Sequence, residues 1–140
     1  KSAPEIAADL TIRRWLIEND WVEALVALPG RTGNLIADGA IAFIMEHHRR
    51  PVGLKEAAEE LRVSEGHLSR LFKQATGVNY LYYLNAYRIN RAAVLLGDAR
   101  LSVSEISEAC GFPNPGYFAK LFKRFSDRTP SQYRDSLPPG

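Results

Sequence analysis

The chain of 140 residues contains one cysteine, Cys110. A lone thiol closes no internal disulfide and builds no thiolate metal cluster, and this scarcity fits a reducing, cytoplasmic setting. No apolar run approaches the roughly 18 residues needed to span a bilayer, so no membrane segment is expected. Period-two alternation is missing as well, which removes a sheet from the expected fold. There is no Gly-rich phosphate loop, no nucleophile elbow and no carboxylate pair in an evident apolar cleft, so no enzyme is expected. The opening "KSAPEIAADL" lacks an initiator Met and an apolar signal core, as at a cut inside a longer polypeptide or at a processed end.

The net charge of +2 is small, but its distribution is uneven. Residues 1–48 hold four basic side chains against seven acidic ones, whereas fourteen basic and nine acidic side chains follow from Arg49 onward. The excess of cations after Arg49 suits a polyanionic partner for that part alone. Pro and Gly punctuate the chain at residues 28–34, 49–53, 97–100, 111–116 and 137–140, and the stretches between them have helical periods. In residues 35–48 one stripe holds Ile36, Ala40, Phe43, Ile44 and His47. In residues 79–96 another holds Tyr80, Tyr83, Leu84, Tyr87, Ala92, Leu95 and Leu96. Eight or nine short helices are expected.

A repeat organises them. "HLSRLFK" at 67–73 returns as "YFAKLFK" at 117–123. Ser64–Gly77 overlays Asn114–Asp127 at an offset of 50, and Leu54–Val63 overlays Val103–Phe112 at 49, so the second copy has one more residue in its turn. Each copy reads as a short helix (54–61, 103–109), a tight turn and a second helix (65–75, 115–125), which is a helix-turn-helix written twice.

The second helices have well-marked starts. Ser64 and Asn114 are N-cap residues, and Pro115 follows at the first helical position, where a missing N–H costs nothing. With that register Leu68, Leu71, Phe72 and Ala75 form the inner stripe of the first copy, and Phe118, Leu121, Phe122 and Phe125 that of the second. The outer stripes carry Gly66, Ser69, Arg70 and Lys73, then Gly116, Ala119, Lys120 and Lys123, flanked by Asn114 and Arg124. Small residues near the start admit a close approach to a duplex, Arg can read guanine edges, and Lys can meet phosphates. A solvated face explains one such helix, but not two with matching caps, inner stripes and cations.

From about Leu35 to Tyr133 the chain resembles the DNA-binding region of AraC/XylS-family transcription regulators. The resemblance rests on "GFPNPGYFAKLFKRFSDRTPSQYR" at 111–134 and on "AYRINRAAVLL" at 86–96. It implies an all-α fold with two helix-turn-helix subdomains joined by a long linker helix; ahead of the resemblance, the amphipathic residues read as an additional N-terminal helical segment. On this reading residues 1–33 are an N-terminal segment or a connection to a missing domain, 34–78 the first unit, 79–96 the linker and 97–136 the second unit. The implied function is sequence-specific binding of double-stranded DNA to regulate transcription, commonly by activation through RNA polymerase, with no cofactor. The family's usual Gly is replaced by Arg62 in the first turn and by Asp127 after the second recognition helix, and Ser107 stands for a common Ala. A left-handed Arg costs about 1 kcal/mol relative to Gly, while Asp tolerates that region better.

The remaining features are weighed more plainly. Adjacent His47 and His48 point to different sides of a helix and have no second ligand cluster, so no metal site is expected. Cys110 falls on a core position, His67 and Tyr117 flank the recognition helices, and Arg88 and Arg91 are candidates for salt bridges within the scaffold. Trp15 and Trp21, on amphipathic stretches with Ile6, Leu10, Leu16, Val22, Leu25 and Val26, need burial, either on this chain or against a sensor domain or second subunit. The alternative function is a helical module of the same fold that binds an acidic protein.

Overall fold

The structure, a computed structural model, describes residues 32–138. The N-terminal amphipathic stretches therefore lie outside the described residues. Seven helices follow in order: α1 (Leu35–His47), α2 (Leu54–Leu61), α3 (Glu65–Thr76), α4 (Tyr80–Leu95), α5 (Val103–Ala109), α6 (Pro115–Ser126) and α7 (Pro130–Asp135). The described residues contain no strand.

Local chemistry sets most of the boundaries. Free N–H groups at a helix start need acceptors, and Asn34, Ser64, Asn79, Ser102, Asn114 and Thr129 each supply a side-chain oxygen. Ser102 with Glu105, and Thr129 with Gln132, close reciprocal capping boxes. Helices α2 and α6 end on left-handed Arg62 (φ 60°) and Asp127 (φ 65°), the two positions where the sequence departs from a usual Gly. The Arg62 N–H returns to the carbonyls of Ala58 and Glu59, so backbone bonding offsets part of that conformational cost.

The repeat extends beyond the two helix-turn-helix pairs. Thr76, at the end of α3, places its hydroxyl 2.8 Å from the Phe72 carbonyl and accepts from the Val78 N–H. Ser126, fifty residues later, repeats this with the Phe122 carbonyl at 2.7 Å and the Arg128 N–H. Tyr83 in α4 packs against Phe72 at 5.4 Å between ring centroids, and Tyr133 in α7 packs against Phe122 at 5.6 Å. Helix α4 therefore closes the first unit as α7 closes the second. It also opens the second unit, packing on α5 and α6 as well as on α1 and α3.

This double duty alters which residues are buried. Helix α4 buries Ala86, Arg88, Ile89, Asn90 and Ala93 in addition to most of the expected stripe, because a neighbour lies on nearly every side. In α1 the buried strip is Ala37, Ala40, Ile41 and Ile44, with Ile36, Phe43 and His47 only partly covered. Small residues let α2 come close there: a Cβ on Gly39 would stand 2.8 Å from the Leu61 side chain. In α3 the buried set is Leu68, Phe72 and Thr76, while Leu71 and Ala75 are half-buried. The expected stripe stopped one residue short because Thr76 is polar, yet its hydroxyl is bonded locally and can go inside.

Phe72 and Phe122 are each fully buried at the centre of a unit. Phe122→Ala should cost about 3–5 kcal/mol of stability, read as a lower midpoint in denaturant melts. An unchanged midpoint would contradict the packing around Phe118 and Tyr133. Ser107 is also buried, and its hydroxyl has no hydrogen-bond partner among the described residues. Ser107→Ala should therefore stabilise the chain by about 1 kcal/mol, and a loss of stability in the same melt would contradict the unsatisfied hydroxyl.

Candidate nucleic-acid interface

The second helices of the two repeats, α3 and α6, present comparable outer faces. In α3, Gly66, Arg70 and Lys73 are exposed and Ser69 is half-buried. In α6, Asn114, Gly116, Lys120, Lys123 and Arg124 are exposed and Ala119 is half-buried. Ser69 and Ala119 occupy equivalent places at the edge of their faces, so cations dominate what solvent meets. His67, half-buried, offers its Nδ1 3.4 Å from an Arg70 guanidinium nitrogen, a long contact that leaves the Arg free to extend. Tyr117 is 44% exposed, with its ring 6.3 Å from that of Phe112. Its apolar body leans on the turn while one side faces outward.

The glycines separate structural need from another need. A Cβ at Gly66 would meet nothing nearer than the far end of Arg70 at 3.9 Å, and one at Gly116 would meet Asn114 Oδ1 at 3.4 Å. Both glycines have ordinary helical backbone, since neither is among the positive-φ residues. Glycine is a poorer helix former than Ala at either place. Neither packing nor backbone geometry asks for Gly at these two places, and both lie in the first turn of an exposed, cation-bearing helix.

The helix ends reinforce the polarity of these faces. Asn114 Oδ1 accepts from the Tyr117 N–H at 2.7 Å and Ser64 Oγ from the His67 N–H at 3.0 Å, leaving other first-turn N–H groups directed outward. Cations fall later, with Lys73 in the last turn of α3 and Lys123 and Arg124 in that of α6. Such an arrangement can hold anionic oxygens along one face.

Other sequence-marked residues take different places. The His47 ring lies against Phe43 and near Glu46, whereas the His48 ring lies against Tyr87, with Nδ1 3.3 Å from the Met45 carbonyl oxygen. Burial, reinforced by nearby Arg49, Arg88 and Arg91, lowers the His48 pKa and favours the neutral ring. Among the described residues no three His, Cys, Asp or Glu side chains gather as metal ligands. Cys110 is buried, and that burial pushes its thiol up to about 11, far from a reactive thiolate. Among the described residues Arg88 has no carboxylate partner. It donates to the backbone carbonyls of His48 and Arg50, at 2.9 Å each, which corrects the expectation of a carboxylate partner. Those acceptors lie about forty residues away in sequence, and no local pattern announces them.

Comparison with known proteins gives these features a context. A family model described as a helix-turn-helix domain matches residues 57–136. The HTH-type transcriptional activator RhaR of Escherichia coli K12 is 34% identical over 108 residues, covering 77% of this chain and 38% of that protein. The uncharacterized HTH-type transcriptional regulator YijO of the same strain is 34% identical over 92 residues, 66% of this chain and 32% of that protein. The chain thus spans about a third of the length of these relatives. Among solved structures, the C-terminal domain of AraT, a response regulator from Geobacillus stearothermophilus, superposes with a TM-score of 0.74 at 32% identity, covering 76% of this chain and 89% of that one. The DNA-binding domain of AdpA, solved in complex with a target DNA, gives 0.68 at 27% identity, covering 71% and 90%. Among the described residues no helix is long and apolar enough to cross a membrane. The paired helix-turn-helix units, their shared helix and the family match together show that the chain belongs to the AraC-type helix-turn-helix family of DNA-binding transcription regulators.

Proposed function

We propose that the chain binds a specific duplex by laying α3 and α6 in successive major grooves on one face of the DNA. The matched pair of first-turn glycines carries this reading, because each thins a helix where its own fold needs no thinning. Helix α4, at sixteen residues, is about 24 Å long, the right order to join two helices set about 34 Å apart in adjacent grooves. Arg70 reads a guanine edge through its planar fork. Lys73, Lys123 and Arg124 hold phosphates, which gives affinity and orientation without sequence information. Asn114 sits at the groove entrance. The segment before Thr32 joins a sensor domain or a second subunit, and the outcome is activation through RNA polymerase. The activator name of RhaR and the DNA bound to AdpA support this reading from relatives.

The proposed roles have distinct signatures. Arg70→Ala should cost about 1–3 kcal/mol at the preferred site and relax preference at one or two base pairs, whereas Lys123→Ala should weaken all sequences alike and reduce the salt dependence. Titrations against a preferred site, found by selection from random duplexes, and against a scrambled duplex measure both. An unchanged ratio for Arg70→Ala would overturn its reading role.

The two helices are unequal readers. Gly116 and Ala119 have no side-chain hydrogen-bonding group, and Lys120 is a flexible point charge, whereas α3 offers the planar fork of Arg70 on its exposed face and the Ser69 hydroxyl at its edge. Base specificity should therefore concentrate under the first unit, with the second adding phosphate affinity and a thymine-methyl contact through Ala119. Single base-pair substitutions across the selected site, at one salt concentration, test this. Equal penalties of about 1–3 kcal/mol in both halves would contradict the asymmetry.

A further inference from the structure

Arg88 lies in the middle of α4 and is 8% exposed. Its Nε and one terminal nitrogen donate to the carbonyl oxygens of His48 and Arg50, which belong to the chain just beyond α1. The guanidinium carbon also stands 6.0 Å from the centre of the Phe112 ring, in the turn of the second unit. On its other side the same 48–50 segment meets Gly111: a Cβ there would lie 2.4 Å from the His48 carbonyl oxygen and 3.1 Å from the Arg49 Cα. Gly111 also has φ +89°, so both its conformation and its missing side chain are required. One backbone segment of the first unit is thus held between an arginine of the shared helix and the turn that aims α6.

A fork of this kind could serve only to cap a helix end, and the second unit contains such a case. Arg134 in α7 donates to the carbonyls of Leu96 and Asp98, at 3.1 Å each, beyond the end of α4. Arg134 and Asp98 belong to the second unit and Leu96 to the end of the shared helix, so this fork has no contact in the first unit. Arg88 differs in meeting a ring of the opposite unit while gripping a segment that the Gly111 turn also touches. Any shear or rotation of one unit against the other must break this three-way contact.

Resting on the DNA reading above, we propose that Arg88 is a positioning residue that sets the half-site spacing the protein accepts, by locking the two helix-turn-helix units into one fixed relation. One added base pair between half-sites displaces the second groove by about 3.4 Å and turns it by about 35°. A locked pair cannot follow that change. A loosened pair can.

The test compares the full chain with Arg88→Met, Arg88→Lys and Arg134→Met, the last as a capping fork without a partner in the opposite unit. Affinities are measured for the selected duplex and for versions with one base pair added or removed between half-sites. In parallel, spin labels at Glu59→Cys and Glu108→Cys, in a Cys110→Ala background, report the distance distribution between units without DNA. The parent chain should lose at least tenfold in affinity on a one-pair insertion and give one narrow distance. Arg88→Met should lose less than threefold and give a broadened distribution, and Arg134→Met should keep the parent's spacing profile. Circular dichroism establishes that each variant is folded, and Arg88→Lys, which keeps the charge without the planar fork, replaces Arg88→Met if the latter is not. Parent-like spacing ratios and distances in a folded Arg88 variant would overturn the proposal, as would equal relaxation in Arg134→Met. If the parent chain binds no duplex, the DNA reading fails, and a narrow distance retained in the Arg88 variant would still refute the lock.

Discussion

Everything in this fold depends on one helix being packed on nearly every side, with Leu81 and Val94 as its exposed large apolar residues. Helix α4 completes the core around Phe72 through Tyr80 and Tyr83, whose rings each lie 5.4 Å from it. It also reaches α6, where Tyr82 lies 5.3 Å from Phe125. Neither unit is large enough to spare that surface, since small domains bury only a modest share of their chain. The two units are therefore more closely bound than the word linker implies, and the separation of their outer faces follows from what α4 must touch on each side.

Polar groups inside such a tightly shared region have to be accommodated one at a time. Thr76 is buried and half-buried Ser126 lies at the matching place, and each hydroxyl donates to a carbonyl of its own helix. Tyr80 reaches across to the Val52 carbonyl. Arg88 spreads its charge over backbone oxygens and an aromatic face rather than meeting a buried carboxylate, which avoids desolvating a second ion. Burial itself raises the Tyr83 hydroxyl pKa well beyond its ordinary range, so the ring stays neutral.

The sequence made helix ends and recognition faces legible because their causes are local. Ser64, Asn79 and Asn114 each cap a helix by accepting from the N–H three residues along, and the exposed Arg70, Lys73, Lys120 and Lys123 follow from register alone. The left-handed Arg62 and Asp127 were legible for a different reason, as replacements for a residue whose backbone freedom the turn uses. Long-range features were not legible. In α1 the periodicity admits a stripe on Ile36 and Phe43 as readily as one on Ala37 and Ile41, and which of the two is buried is decided by where α2, α3 and α4 pack, a long-range fact. Arg88 looked like a salt-bridge partner because a carboxylate is the commonest companion of an arginine, and backbone carbonyls leave no mark in sequence.

The sharing of α4 also constrains how this chain can change in length. A residue inserted into a helix advances everything beyond it by about 1.5 Å and turns it by about 100°. In most helices a loop absorbs such a change. Here Tyr80 and Tyr83 are fixed to the first core at one end, while Leu96 is buried at the other, so the turn would have to be taken by one of the two cores. Surface loops of this protein can lengthen, but the span from Tyr80 to Leu96 works as a ruler whose unit is the residue, and its count cannot drift by one without dismantling a hydrophobic core.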